Sequence, residues 1–205
     1  TQDGRLLHDV VRGGRNDDGT WDPKDEQGRA LIPVPTPETK HNALKSVYAI
    51  GKFVQERLTL TLTRQYGMEG CALRLWNIYG PGQALSNPYT GVLAIFASRI
   101  ANGAADGEVF NIASGAVRTV EEVARLQAAS MGRPDLEPEI MDKARAGDIR
   151  HCIPDLAKAE TVLGYRAEQD FGEGLAELAE WVARQEAEDR VVEARKELEM
   201  RGLVA

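Results

Sequence analysis

Short apolar runs closed by glycine or proline alternate along this chain with stretches of helical periodicity, and that alternation narrows the folds open to it. Gly70-Cys71-Ala72-Leu73-Arg74-Leu75-Trp76-Asn77 reads as a mostly buried strand that breaks into the loop Tyr79-Gly80-Pro81-Gly82. Glu108-Val109-Phe110-Asn111-Ile112-Ala113 reads as another, closed by Ser114-Gly115. Val47, Ile50, Val54, Leu58 and Leu62 recur at three- and four-residue spacing, which predicts a helix from about Leu44 to Tyr66 with Gly67 as its stop. Val92, Ile95, Phe96 and Ile100 predict a second helix over Thr90 to Asn102. Thr119-Val120-Glu121-Glu122 has the form of a capping box and opens a helix to about Met131. Asp155 caps a short helix, Leu156 to Leu163, stopped by Gly164, and Leu175, Leu178, Trp181 and Val182 mark a last helix from Gly174 onward. Glu137 to Met141 is a further strand candidate, and the tail from Glu186 to Arg201, dense in both charge signs, reads as a solvated helix. Strands alternating with helices predict an α/β fold with a largely parallel sheet.

Before these elements, Thr1 to about Lys40 is polar and punctuated by Gly13-Gly14, Asp17-Asp18-Gly19 and three prolines, Pro33, Pro35 and Pro37. It reads as an irregular surface excursion, longer than the ~12–15 residues usual for a loop, which points to a functional role or to missing context. The chain opens on Thr1-Gln2-Asp3-Gly4-Arg5 with no initiator Met, no signal-peptide pattern and no apolar run approaching the ~18 residues of a membrane span. A fragment of a longer cytoplasmic protein is the expectation. Twenty-five Lys+Arg against 32 Asp+Glu give a net charge of −7, which argues against a partner as polyanionic as nucleic acid but leaves room for a small anionic ligand on a local Arg. Cys71 and Cys152 lack metal-ligand spacing and predict reduced, buried thiols; no metal is expected. His8, His41 and His151 group with no nucleophile.

The chemistry concentrates in Ser46-Val47-Tyr48-Ala49-Ile50-Gly51-Lys52. Tyr48 and Lys52 stand four residues apart and share one helix face, about 5–6 Å apart at Cβ. A phenol of ordinary pKa about 10 is a poor base at neutral pH. A neighbouring ammonium favours the phenolate, which would make Tyr48 an acid/base able to take a proton from a hydroxyl and return it. The structural alternative is a helix with one buried Tyr and one surface Lys.

Four stretches together resemble the extended short-chain dehydrogenases/reductases, the nucleotide-sugar epimerase and dehydratase family. They are the Tyr48–Lys52 run followed by Glu56; Leu73-Arg74-Leu75-Trp76-Asn77-Ile78-Tyr79-Gly80-Pro81-Gly82-Gln83; Phe110-Asn111-Ile112-Ala113-Ser114-Gly115; and Arg145-Ala146-Gly147-Asp148 followed by Asp155, Lys158-Ala159 and Leu163-Gly164-Tyr165. Within the family, Gln83 to Val92 and Trp21-Asp22-Pro23 are similar to dTDP-L-rhamnose 4-epimerase-like members. The resemblance implies a partial Rossmann-type doubly wound parallel sheet with a small C-terminal α/β substrate-binding lobe. Residues 1–40 would be the excursion, 41–106 the later part of the Rossmann core with the Tyr48 helix, and 107–205 a core strand with the substrate lobe and C-terminal helix.

The resemblance also implies roles. Tyr48 would exchange the proton of the sugar 4-hydroxyl, and Lys52 would hold the nicotinamide ribose of NAD and favour the Tyr48 phenolate. Hydride would leave C4 for NAD, give a 4-keto sugar and return to the other face. Trp76 would lie near the nicotinamide. Asn77 would meet the sugar diphosphate, or else only cap the turn that follows it. Asn87, Thr90, Gly91 and Val92 would line the sugar-nucleotide entrance, where a helix start offers free N–H groups to an anion; turn chemistry before Pro88 is the alternative for Asn87. Arg145 would take the diphosphate as a planar fork and Asp148 the nucleoside ribose, or the two would form a surface ion pair. Arg99 and Arg150 are further candidates. The expected partner is a nucleotide sugar, with a homodimer possible in the intact parent.

The chain also departs from the family. It lacks the Gly-rich phosphate loop and the half that carries it, and the substrate-binding Ser/Thr that precedes the excursion. Ile100 to Phe110 joins two regions that the family separates by a strand and a helix. Weak NAD binding by this chain alone, or none, is the expectation. A 4,6-dehydratase is the enzyme alternative, but it needs acidic groups just before the Tyr, and residues 41–47 hold none. An NADPH-dependent reductase and a non-catalytic interaction module are the others.

Overall fold

The computed structural model describes residues 19–20, 22–42, 44, 46–82, 105–141, 150–185 and 199–200. The chain divides into two units, one of Thr1–Arg57, Met141–Ile153 and Asp189–Ala205, the other of Leu58–Ile140 and Pro154–Glu188.

The second unit is built on two parallel strands, β1 (Ala72–Leu75) and β2 (Val109–Ile112), in the register Ala72↔Val109 to Leu75↔Ile112. Both cores fall inside the runs read from the sequence. Backbone bonds extend the ladder at each end, Ala72 N–H to Glu108 O and Trp76 N–H to Ile112 O. β2 is the more buried strand. Phe110 and Ile112 are fully buried with Ala105, Ala159 and Leu163, against partly buried Cys71, Leu73, Ile78 and Tyr165.

Three bonds tie the later segment to β2 and the residue that follows it. The Asn111 amide donates to Asp155 O, Lys158 Nζ donates to Val109 O, and the Tyr165 hydroxyl donates to Ala113 O. Lys158 also pairs with Glu108 and stands 4.8 Å from the Phe110 ring centroid. Asp155 caps its turn as expected, accepting from Ala157 N–H, and the segment closes in a π-type turn, Ala159–Leu163, before Gly164 at φ 62°.

α2 (Val120–Ser130) opens with the capping box: Thr119 Oγ1 accepts from Glu122 N–H while the Glu122 carboxylate accepts from Thr119 N–H. The Thr119 N–H and hydroxyl, which both donate to that carboxylate, hold it below its ordinary pKa. α2 packs on α3 (Phe171–Val182). The last helix starts three residues before the expected Gly174, because the Asp170 carboxylate caps Gly172 and Glu173 N–H. Gly174 is buried instead at a close approach: a Cβ there would meet the Tyr79 hydroxyl oxygen at 2.8 Å. That hydroxyl donates to Phe171 O, and the Tyr79 and Phe171 rings meet edge to face. Glu137–Met141 is not a strand: Glu137 is ion-paired with Arg125 of α2, and Pro138 has no N–H for a ladder.

α1 (Val47–Gln65) starts at Val47 rather than Leu44, where Ser46 Oγ accepts Ala49 N–H. It ends as expected, with Gly67 at φ 64° and Met68 N–H returning to Thr63 O. Its burial differs from the periodicity reading. Val47, Ile50, Val54, Leu58 and Leu62 are the exposed apolar face, with Val47 87% and Leu58 54% exposed. Ala49, Phe53, Glu56, Leu60 and Thr63 form the opposite, more covered face, and only Leu60 is buried. α1 carries apolar residues on both faces, so period alone could not say which one turns inward.

In the first unit, Asp25 organises the excursion. Its carboxylate accepts from the Gln27 and Arg29 N–H groups and pairs with the Arg29 guanidinium, closing a turn bridged by Lys24 and Ala30. The Arg29 backbone bond is the main reason the Asp25 carboxyl lies below its ordinary pKa. Arg150 binds Asp22, and Thr36 N–H binds Ile153 O. Cys71 is partly buried, and burial pushes its thiol pKa up; Cys152 is exposed rather than buried as expected. The expected helix over Thr90 to Asn102 and most of the charged tail, 186–198 and 201, lie outside the described residues. Among the described residues no helix is long and apolar enough to cross a membrane, and no three His, Cys, Asp or Glu side chains group for a metal.

Candidate active site

Tyr48 and Lys52 occupy the first turns of α1 in the first unit. The helix places the Lys52 ammonium 5.6 Å from the Tyr48 ring centroid, within range of a cation–π attraction. Tyr48 is 50% exposed and Lys52 is exposed. The shared face read from the sequence is therefore present, and the buried-Tyr alternative is not what the chain adopts. A phenol and an ammonium are the kinds of group that could bond a sugar or ribose hydroxyl. That is the fit required of residues that would hold the nicotinamide end of NAD. No G-x-G-x-x-G stands in the sequence to hold a pyrophosphate.

Trp76 and Asn77 follow β1 in the second unit. Trp76 is half-buried, its backbone N–H on Ile112 O and its indole N–H on Asn111 Oδ1 at 3.0 Å. Asn77 is exposed at φ 44°, the left-handed region, where it is the only non-glycine among the described residues. Asn tolerates that region better than most residues, and a strained residue at a strand end is a recurrent mark of a ligand site. The turn-cap alternative for Asn77 is compatible with the same geometry.

Arg150, a further candidate, is engaged by Asp22, and His151 Nε2 lies 3.7 Å from the same carboxylate. Asn87, Thr90, Gly91, Val92, Arg99, Arg145 and Asp148 lie outside the described residues. The structure thus forms two pairs, Tyr48 with Lys52 and Trp76 with Asn77. Sequence reasoning assigned no role to Asn111, although an amide in the apolar run Val109-Phe110-Asn111-Ile112 is a recognisable signal: buried polar groups must find partners. A cavity of about 290 Å³ at the end of α1, lined by Thr63, Arg64, Gly67, Met68, Glu69, Asp106 and Gly107, includes none of the candidates.

Residues 27–129 match the NAD dependent epimerase/dehydratase family. A dTDP-L-rhamnose 4-epimerase of Burkholderia thailandensis is 29% identical over 217 residues, covering 89% of this chain and 58% of the relative. The UDP-glucose 4-epimerase of Thermotoga maritima, solved with UDP-glucose, superposes with a TM-score of 0.60 at 30% identity, covering 77% of this chain and 60% of that one. MoeE5, solved with UDP-glucuronic acid and NAD, superposes with a TM-score of 0.55 at 26% identity, covering 75% and 60%. The chain thus spans 58% of the length of that curated relative.

Proposed function

The chain belongs to the NAD dependent epimerase/dehydratase family, and on that premise we propose that it supplies the acid/base group and the sugar-nucleotide side of a nucleotide-sugar 4-epimerase acting on a dTDP- or UDP-hexose. The observation that carries this reading is the Tyr48–Lys52 pair on one exposed helix face, with the ammonium 5.6 Å from the ring centroid.

Bound NAD supplies reversible hydride acceptance at sugar C4. The Tyr48 oxygen takes the proton of the 4-hydroxyl as the C4–O bond becomes a carbonyl, and returns it to the same oxygen when C4 is reduced on the opposite face. No net proton or electron is gained. Lys52 stabilises the phenolate while Tyr48 is without its proton and donates to the nicotinamide ribose. By the family resemblance, Trp76 would border the nicotinamide, Asn77 and Arg145 would meet the diphosphate, Asp148 would meet the nucleoside ribose, and Asn87, Thr90, Gly91 and Val92 would line the entrance.

The test is C4 inversion of a dTDP- or UDP-hexose with NAD⁺, followed by proton NMR on the protein expressed from the full coding sequence. Removing a positioned general acid/base costs about 10²–10⁴ in rate, so Tyr48→Phe is expected to lose inversion on that scale. Undiminished inversion in Tyr48→Phe overturns the assignment.

A further inference from the structure

We propose that Asn111 is a positioning residue for the site, holding the Trp76 indole from inside the core; the functional part of this rests on the reading of Trp76 as a wall of the nicotinamide pocket. Asn111 sits in the middle of β2, is 1% exposed, and is the one buried polar side chain among the described residues. Its Oδ1 accepts from Trp76 Nε1 at 3.0 Å, and its Nδ2 donates to Asp155 O at 3.2 Å.

The partners determine which way the amide points. An indole N–H can only donate and a backbone carbonyl can only accept, so the oxygen must face Trp76 and the nitrogen Asp155. Few side chains of this size carry a separate donor and acceptor to meet both demands. Leucine, its nearest apolar isostere, offers neither bond, and an ionised aspartate could accept from the indole but could not donate to Asp155.

A core position needing only stability would hold an apolar residue, because swapping both partners of a buried bond for apolar groups is close to neutral. A buried amide that bonds in two directions instead fixes one geometry. Here it fixes the indole of the residue just before Asn77. Trp76 is pinned twice, by its backbone on Ile112 and by its ring on Asn111. The same amide joins that ring to the start of the Asp155 turn, so the end of β1 and the later segment are held through one side chain.

The test begins with the unmodified protein. In a ¹⁵N-labelled sample, the Trp76 indole N–H, assigned by its loss in Trp76→Phe, is expected to exchange with solvent at least about tenfold more slowly than an unbonded indole, as a buried hydrogen bond requires. Asn111→Leu is expected to abolish that protection. In the protein from the full coding sequence it is also expected to raise KM for NAD⁺ about tenfold with kcat within about threefold, the pattern of lost uniform binding. Fast exchange in the unmodified protein overturns the positioning role whether or not the variant folds, and so does protection that survives Asn111→Leu. The nicotinamide reading is checked separately: an unchanged KM for NAD⁺ in Trp76→Phe overturns that reading and leaves the exchange result standing.

Discussion

Leu58 and Leu60 lie two residues apart on α1 and face opposite ways, so truncating each in turn measures which face of the Tyr48 helix is packed. Leu60 is 8% exposed and Leu58 is 54% exposed. Leu60→Ala removes a buried side chain and leaves a cavity, so the expected loss is about 2–5 kcal/mol. Leu58 already keeps about half its surface in water. With about 1.5–3 kcal/mol for full burial of a leucine, Leu58→Ala forfeits at most about 1.5 kcal/mol and opens no cavity. Both substitutions exchange leucine for the best helix former in the same helix, so propensity cancels from the comparison. Equilibrium urea unfolding followed by far-UV circular dichroism gives both values. The expected result is a midpoint clearly lower for Leu60→Ala, with slopes unchanged. Equal losses, within the ~10–15% uncertainty of linear extrapolation, would refute the facing assigned to α1.

Asp170 and Gly67 give further tests. The N–H groups of Glu173 and Gly172 hold the Asp170 carboxyl below its ordinary 3.8. Its contribution is therefore complete above that value and lost as pH falls through the lower folded value. Asp170→Asn keeps a capping oxygen but cannot titrate. The stability difference between unmodified protein and variant is expected to shrink on acidification below about pH 4, and a difference independent of pH would contradict the cap. Gly67 stands at φ 64°, and a Cβ added there would meet no atom within 4 Å. Gly67→Ala is therefore expected to cost about 1–2 kcal/mol through backbone strain alone, and an unchanged unfolding midpoint would contradict that.

Local chemistry was the most legible part of the sequence. The Thr119–Glu122 box, the stops at Gly67 and Gly164 and the Asp155 cap each depend on residues within one turn, and each forms as read. The strand cores around Leu73 and Phe110 were legible because apolar runs bounded by glycine leave few other readings. What depends on distant partners was not. The facing of α1 is set by what packs on it, and both of its faces carry apolar residues. Asp170 was missed as a cap because Phe171 and Gly172, the first residues of α3, lie outside the Leu175–Leu178–Val182 stripe used to find that helix. Glu137–Met141 reads as a strand candidate, but Pro138 has no N–H for a ladder and Glu137 is ion-paired with Arg125. The shared face of Tyr48 and Lys52 needed only helix spacing to read, whereas the chemistry expected of the pair rested on the resemblance carried by the other stretches. Asn111 could not be given a role from sequence, because its partners stand 35 and 44 residues away.

The central claim, reversible C4 chemistry with Tyr48 as the acid/base, is tested most directly by a dTDP- or UDP-hexose deuterated at C4. After incubation with NAD⁺ and the protein expressed from the full coding sequence, proton NMR reads both configuration and label. The account predicts product inverted at C4 with the deuterium retained there, and no such product from Tyr48→Phe. Inversion with the label lost to water, or no inversion of any dTDP- or UDP-hexose, would contradict it.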